Sequence, residues 1–187
     1  MVANQFDEQS CTLNGLFNPM PDGTYLPNLA QVLYWNPQTT NWGPGYTWSG
    51  STKTWSAGAG TNFLWPGQGV MAYNPSSASA TITFARLVRV GGGPSPVAGG
   101  VPVTSGIQQV VSAIVPQPGL LSSQLAYSPS QDDTAFIWDV GTGQYDVYTY
   151  VGSAWSPSQP TLSAGQAFLI FPSASQTWNR VWLPNCV

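Results

Sequence analysis

A chain of 187 residues holds 42% hydrophobic residues but only 6% charged ones, four basic against seven acidic, with no histidine. The length admits one large domain or two small ones, and the net charge of −3 excludes a polyanion partner, because Arg86, Arg89 and Arg180 are too few and too scattered to track phosphates. Nine Trp, eight Tyr and seven Phe are too much buriable surface for a disordered chain, and no apolar run nears the ~20 residues of a membrane helix.

Taken in chain order, Val2–Phe6 is a first extended segment. Cys11–Phe17 reads as a short helical turn with Leu13, Leu16 and Phe17 on one side. Val32–Trp35 and Gly69–Tyr73 are short, apolar and bounded by Gly, Pro and Asn, as strands are. Ala80–Val90 alternates, with Ala80, Ile82 and Phe84 on one face, and slips phase near Arg86 as a bulge requires. Leu120–Tyr127 is a second candidate helical turn. Ala135–Val140, Tyr145–Val151, Ala167–Phe171 and Trp178–Leu183 complete the strands. With 20 Gly and 17 Pro there is no room for a long helix. The expected class is all-β: two related β-sandwich-like repeats of short antiparallel strands with little helix.

The repeat is the strongest signal. Trp35 matches Trp138, and Tyr46-Thr47-Trp48 matches Tyr148-Thr149-Tyr150. Trp55-Ser56 matches Trp155-Ser156, Gly67-Gln68 matches Gly165-Gln166, and Asn74-Pro75-Ser76 matches Phe171-Pro172-Ser173. Val2–Phe6 is echoed faintly by Val111–Val115. Gly91-Gly92-Gly93-Pro94-Ser95-Pro96 cannot continue a strand. The expected organisation is a first β repeat over 1–90, a Gly/Pro-rich linker over 91–100 and a second β repeat over 101–187.

The run VANQFD, TLNGLF, PDGT, YTW and PGQG, followed by VVSAIVPQPG, YTY, GQAF and WNR, is similar to a family of uncharacterised exported bacterial proteins with two β repeats and often a C-terminal sorting tail. The resemblance covers essentially the whole chain. It implies export and a β fold, and it brings no catalytic residues. In that family a Gly-aromatic-Asn step precedes the first strand and a tail follows the last. Here the chain runs from Met1 to Val187 without either, so a processed chain at the cell exterior, its signal removed, is the expectation.

Cys11 and Cys186 stand near opposite ends, without CxxC spacing. In an oxidising compartment they are candidates for one disulfide, within a chain or between subunits. Two unpaired buried thiols are the plainer alternative.

The absence of histidine removes the Ser-His-Asp triad, the Cys-His dyad and His-ligated zinc. No glycine-rich stretch has the lysine and helix of a phosphate loop. Paired carboxylates for glycoside hydrolysis would come from Asp7, Glu8, Asp22, Asp132, Asp133, Asp139 and Asp146. Asp7 and Glu8 point to opposite faces of a strand. Asp132-Asp133 reads as a solvated turn and, without DxDxDG spacing, only weakly as a calcium loop. Asp139 has Asn36 as its repeat counterpart, which suits a turn residue better than a catalytic acid. No enzyme, cofactor or metal is expected.

Trp35, Trp55, Trp138 and Trp155 recur in both repeats and are expected in the cores. Trp42, Trp65, Trp178 and Trp182 have no aromatic counterpart at the matched position and are the candidate interface or glycan contacts. The leading expectation is a non-enzymatic extracellular structural protein that assembles with copies of itself into a filament, sheet or surface layer. Low charge leaves little self-repulsion to oppose this. A first strand starting at Met1 would leave an edge for a neighbour's strand. The alternative is a carbohydrate-binding module using exposed Trp and Tyr on a surface polysaccharide. Neither reading involves nucleic acid or membrane insertion.

Overall fold

The computed structural model describes residues 1–5, 11–17, 25–82 and 100–179. Strands form where aromatic and β-branched residues alternate with polar ones between Gly, Pro and Asn turns. The first repeat supplies β1 (Val2–Ala3), β2 (Gln31–Leu33), β3 (Tyr46–Ser49), β4 (Thr54–Trp55) and β5 (Gly69–Tyr73). The second supplies β6 (Gln109–Val111), β7 (Thr134–Asp139), β8 (Gln144–Val151), β9 (Ala154–Ser156) and β10 (Phe168–Phe171). Both five-stranded sheets are antiparallel throughout, with orders β1-β5-β2-β3-β4 and β6-β10-β7-β8-β9. The class is therefore all-β, and the two sheets have one topology.

Their rungs correspond as well. Gln31 faces Thr47 as Thr134 faces Thr149, and Trp48 faces Trp55 as Tyr150 faces Trp155. Gln31 also faces Tyr73 as Thr134 faces Phe171. Tyr73, not Asn74, is thus the counterpart of Phe171, which corrects the sequence match by one residue. The Pro-Ser step misleads because strand register follows face, and a one-residue slip exchanges faces.

One face of each sheet covers its own core. In the first repeat Val32, Trp48, Trp55 and Val70 pack beneath the helix α1 (Leu13–Phe17), which contributes Leu13, Leu16 and Phe17. Thr12 caps α1 through its Oγ1, which accepts from the Gly15 amide at 3.1 Å. In the second repeat Ala135, Ile137, Trp155, Phe168 and Ile170 pack beneath Leu121, Leu125, Tyr127, Leu162 and Trp178. Leu121–Leu125 is a turn rather than a helix, although the Gln124 amide donates to the Leu120 carbonyl at 3.1 Å.

The two repeats meet about a pseudo-two-fold axis. Val2 bridges to Gln166, and its counterpart Val111 bridges to Gln68. The Ala3 amide donates to the Gly165 carbonyl at 2.9 Å, and the Ser112 amide to the Gly67 carbonyl at 2.8 Å. A Cβ built on Gly69 would lie 2.1 Å from the Cβ of its own counterpart Ala167, so the axis passes between them. In these backbone contacts the repeats are joined as an isologous dimer is, each giving and receiving the same bonds.

Several expectations change. β1 is paired on one side with β5 and bridged on the other to Gln166, all within its own chain, so it is no acceptor for a neighbour's strand. Ala80–Ile82 carries no strand, and the rest of the expected 80–90 strand lies outside the described residues, as do 91–99 of the linker. The last described strand is Gln176–Trp178, earlier than expected and paired with Val101–Val103; 180–183 lie outside the described residues. Among the described residues no helix is long and apolar enough to cross a membrane.

Candidate functional site

The segment leading into β5 is held at both ends. The Leu13 amide donates to the Asn62 carbonyl at 2.9 Å and the Leu64 amide to the Cys11 carbonyl at 2.7 Å. Trp65-Pro66-Gly67-Gln68 then turns with Gly67 at φ +84°, closed by the Gln68 amide on the Trp65 carbonyl at 2.9 Å. A Pro-Gly pair with positive φ at the third position is the type II pattern. The Gln68 side chain locks it, its Oε1 accepting from the Trp65 amide at 3.0 Å. Phe63 and Trp65 alternate onto one side, where their rings stack 4.9 Å apart and 5° from parallel. Both remain about half exposed, at 48% and 52%.

Trp65 borders a cavity of about 460 Å³ between the repeats, lined also by Tyr34, Trp35, Gln68, Pro102 and Gln109. Among the described residues no charged one belongs to the lining. Trp35 is fixed by its indole N–H, which donates to the Gln108 carbonyl at 2.7 Å, and by an edge contact with Trp42 at 5.2 Å. Trp42 in turn donates to the Tyr145 hydroxyl at 3.1 Å across the axis. The Tyr34 hydroxyl is shut off from solvent and has no hydrogen-bond partner among the described residues. Burial, and secondarily the nearby Tyr46, push its phenol well above the ordinary value of 10.0, so it stays neutral at any physiological pH. The site therefore offers flat aromatic faces and amides, and among the described residues no lining group that titrates near neutrality.

The other sequence-predicted residues are dispersed. Trp178 is 2% exposed, in the second core, with its N–H on the Leu125 carbonyl at 2.8 Å; it is no surface contact. Trp42 is half-buried and does have an aromatic counterpart, because Trp35 pairs with Trp42 as Trp138 pairs with Tyr145. The sequence match misses this, since Trp42 and Tyr145 differ in type and follow loops of different composition. Trp35 and Trp138 are half-buried on the second sheet face rather than in a core, whereas Trp55 and Trp155 are core residues. Trp182 and Cys186 lie outside the described residues, and Cys11 is 1% exposed.

Asp133 is not solvated. It is fully buried, and its carboxylate accepts from the Tyr127 hydroxyl, the Ser130 amide, and the Ser173 amide and hydroxyl, at 2.7–3.0 Å. That role is structural, tying the loop before β7 to the residues after β10. Asp7, Glu8 and Asp22 lie outside the described residues. Asp139 and Asn36 do the same turn work: Asp139 accepts from the Gly141 amide, and Asn36 from the Gln38 amide. Among the described residues no three His, Cys, Asp or Glu side chains gather as metal ligands. Phe63, Tyr34 and Gln109 were not singled out from the sequence. For Phe63 a signal exists, its i, i+2 spacing from Trp65.

No family model, no curated protein and no solved structure matches this chain.

Proposed function

We propose that this is a non-enzymatic structural or adhesive protein of the cell exterior, acting through neutral aromatic surfaces. The observation that carries the reading is the rigid, half-exposed Phe63–Trp65 stack at the edge of a cavity that no charged residue lines among the described residues. Side chains already immobilised by the fold lose little entropy when a partner arrives. The test is co-sedimentation of the full chain with the insoluble envelope and matrix material of the producing cells. Trp65→Ala should keep the far-UV CD spectrum and lose most of the adherence; undiminished adherence would count against the cleft.

Self-assembly is a second aspect with its own support. Val147 and Val151 project from one face of β8, and Phe171 projects nearby on β10, all three exposed. Tyr73, the counterpart of Phe171, is exposed on the first sheet. Each sheet of one chain thus presents an exposed aromatic at the same register position, two related points from which repeating contacts can propagate. Cys11, being buried, suits a bridge inside the chain better than one to a neighbour.

A further inference from the structure

The chemistry of the inter-repeat cleft narrows what it takes. We infer that it binds a neutral glycan, an inference that rests on the adhesive role proposed above. Charge is the first argument. An ionic ligand entering this lining would shed water and meet no countercharge among the described residues. Nucleotides, acidic sugars and basic peptides are therefore disfavoured.

The platform is the second. A sugar ring has an apolar C–H face and a rim of hydroxyls, so it needs a flat apolar surface with amide or hydroxyl groups beside it. Trp65 supplies the surface, half exposed and backed in parallel by Phe63. Gln68 spends its Oε1 on the Trp65 amide, which leaves its Nε2 to donate outward. Gln109 spends its Nε2 on the Thr104 carbonyl at 3.4 Å, which leaves its Oε1 to accept. One lining thus holds a spare donor and a spare acceptor, as a hydroxyl rim requires.

Size and rigidity agree. The cavity of about 460 Å³ falls within the ~300–1,000 Å³ of small-molecule sites. The turn presenting Trp65 is closed by two hydrogen bonds of its own, so the platform is set before the ligand arrives.

The experiment measures adherence of the full chain and of Trp65→Ala to the same insoluble envelope and matrix material, before and after periodate, which cleaves the C–C bond between neighbouring hydroxyl-bearing carbons. A neutral-glycan array run in parallel names the sugar. Adherence that falls at least tenfold with Trp65→Ala, and at least tenfold after periodate, supports the inference; Trp65→Phe should retain most of it. Adherence that depends on Trp65 but survives periodate, with no neutral glycan bound on the array, overturns the glycan while leaving the adhesive role. Adherence indifferent to Trp65→Ala overturns the adhesive cleft itself.

Discussion

Burial without a partner distinguishes otherwise equivalent side chains. Trp55 and Trp155 occupy the same rung of the two sheets and are almost equally buried, at 5% and 7%. The Trp155 indole donates to the Ser122 hydroxyl at 2.9 Å, whereas among the described residues the Trp55 indole nitrogen has no partner, nor has that of Trp48. An unmade buried hydrogen bond costs about 1–3 kcal/mol. Replacing Trp55 by Phe removes the orphaned donor and partly offsets the lost ring volume, while Trp155→Phe loses packing and a hydrogen bond together. Urea unfolding should therefore show Trp155→Phe less stable than Trp55→Phe by about 1 kcal/mol or more; equal losses would mean that the Trp55 N–H is satisfied. Asp139 makes a smaller claim. Bonds from the Gly141 amide and the Thr142 hydroxyl hold its pKa below the ordinary 3.8. The stabilisation is fully present above that value and fades as pH falls through the folded one, so Asp139→Asn should flatten the acid limb of a stability–pH curve.

At the level of elements, the two glycine turns carry the joint between the repeats. Gly67 and Gly165 both hold positive φ, +84° and +76°, and both offer their carbonyls to the opposite repeat. An alanine is strained at either, by about 1–2 kcal/mol. At Gly165 nothing lies within 4 Å of the new Cβ, but at Gly67 it would sit 2.4 Å from Val101 Cγ2. Gly67→Ala should thus cost clearly more than Gly165→Ala, as read from the shift of the thermal midpoint. The short motifs Pro66–Gly69 and Ala164–Ala167 are legible in the sequence as repeated turns. Their use as the cross-axis contact is not, since one motif has no way to record which carbonyl the other will accept.

At the level of the whole molecule, the axis makes a reciprocal prediction. Gly69→Ala puts a methyl where the Ala167 methyl already stands, an overpacking worth about 1–3 kcal/mol or more. Adding Ala167→Gly relieves that contact, though not the one with Val110 Cγ1 at 2.9 Å, and should restore part of the loss, a positive coupling in a double-mutant cycle. Additive losses would remove the axis contact as the cause. The outer faces make a second prediction. Val147→Lys with Val151→Lys should leave stability within about 0.5 kcal/mol, since both sites are exposed, and should abolish concentration-dependent assembly seen by electron microscopy and sedimentation. Wild-type protein that stays monodisperse at every concentration sinks self-assembly.

What the amino-acid sequence by itself determined was the repeat, the strand class and several of the longer strands: Gly69–Tyr73 matches β5 residue for residue, and Leu13, Leu16 and Phe17 are the buried face of α1. These are local properties, set by side-chain period, turn chemistry and a cap, and each is written within a few consecutive residues. Exposure of the tryptophans was decided only by the tertiary structure. Trp178 was sequestered by Leu125 and Trp42 by Tyr145, 53 and 103 positions away along the chain, while Trp65 was left open to border the cleft. Whether a ring is covered depends on which distant element folds over it, and that is a property of the packed whole rather than of any stretch of chain.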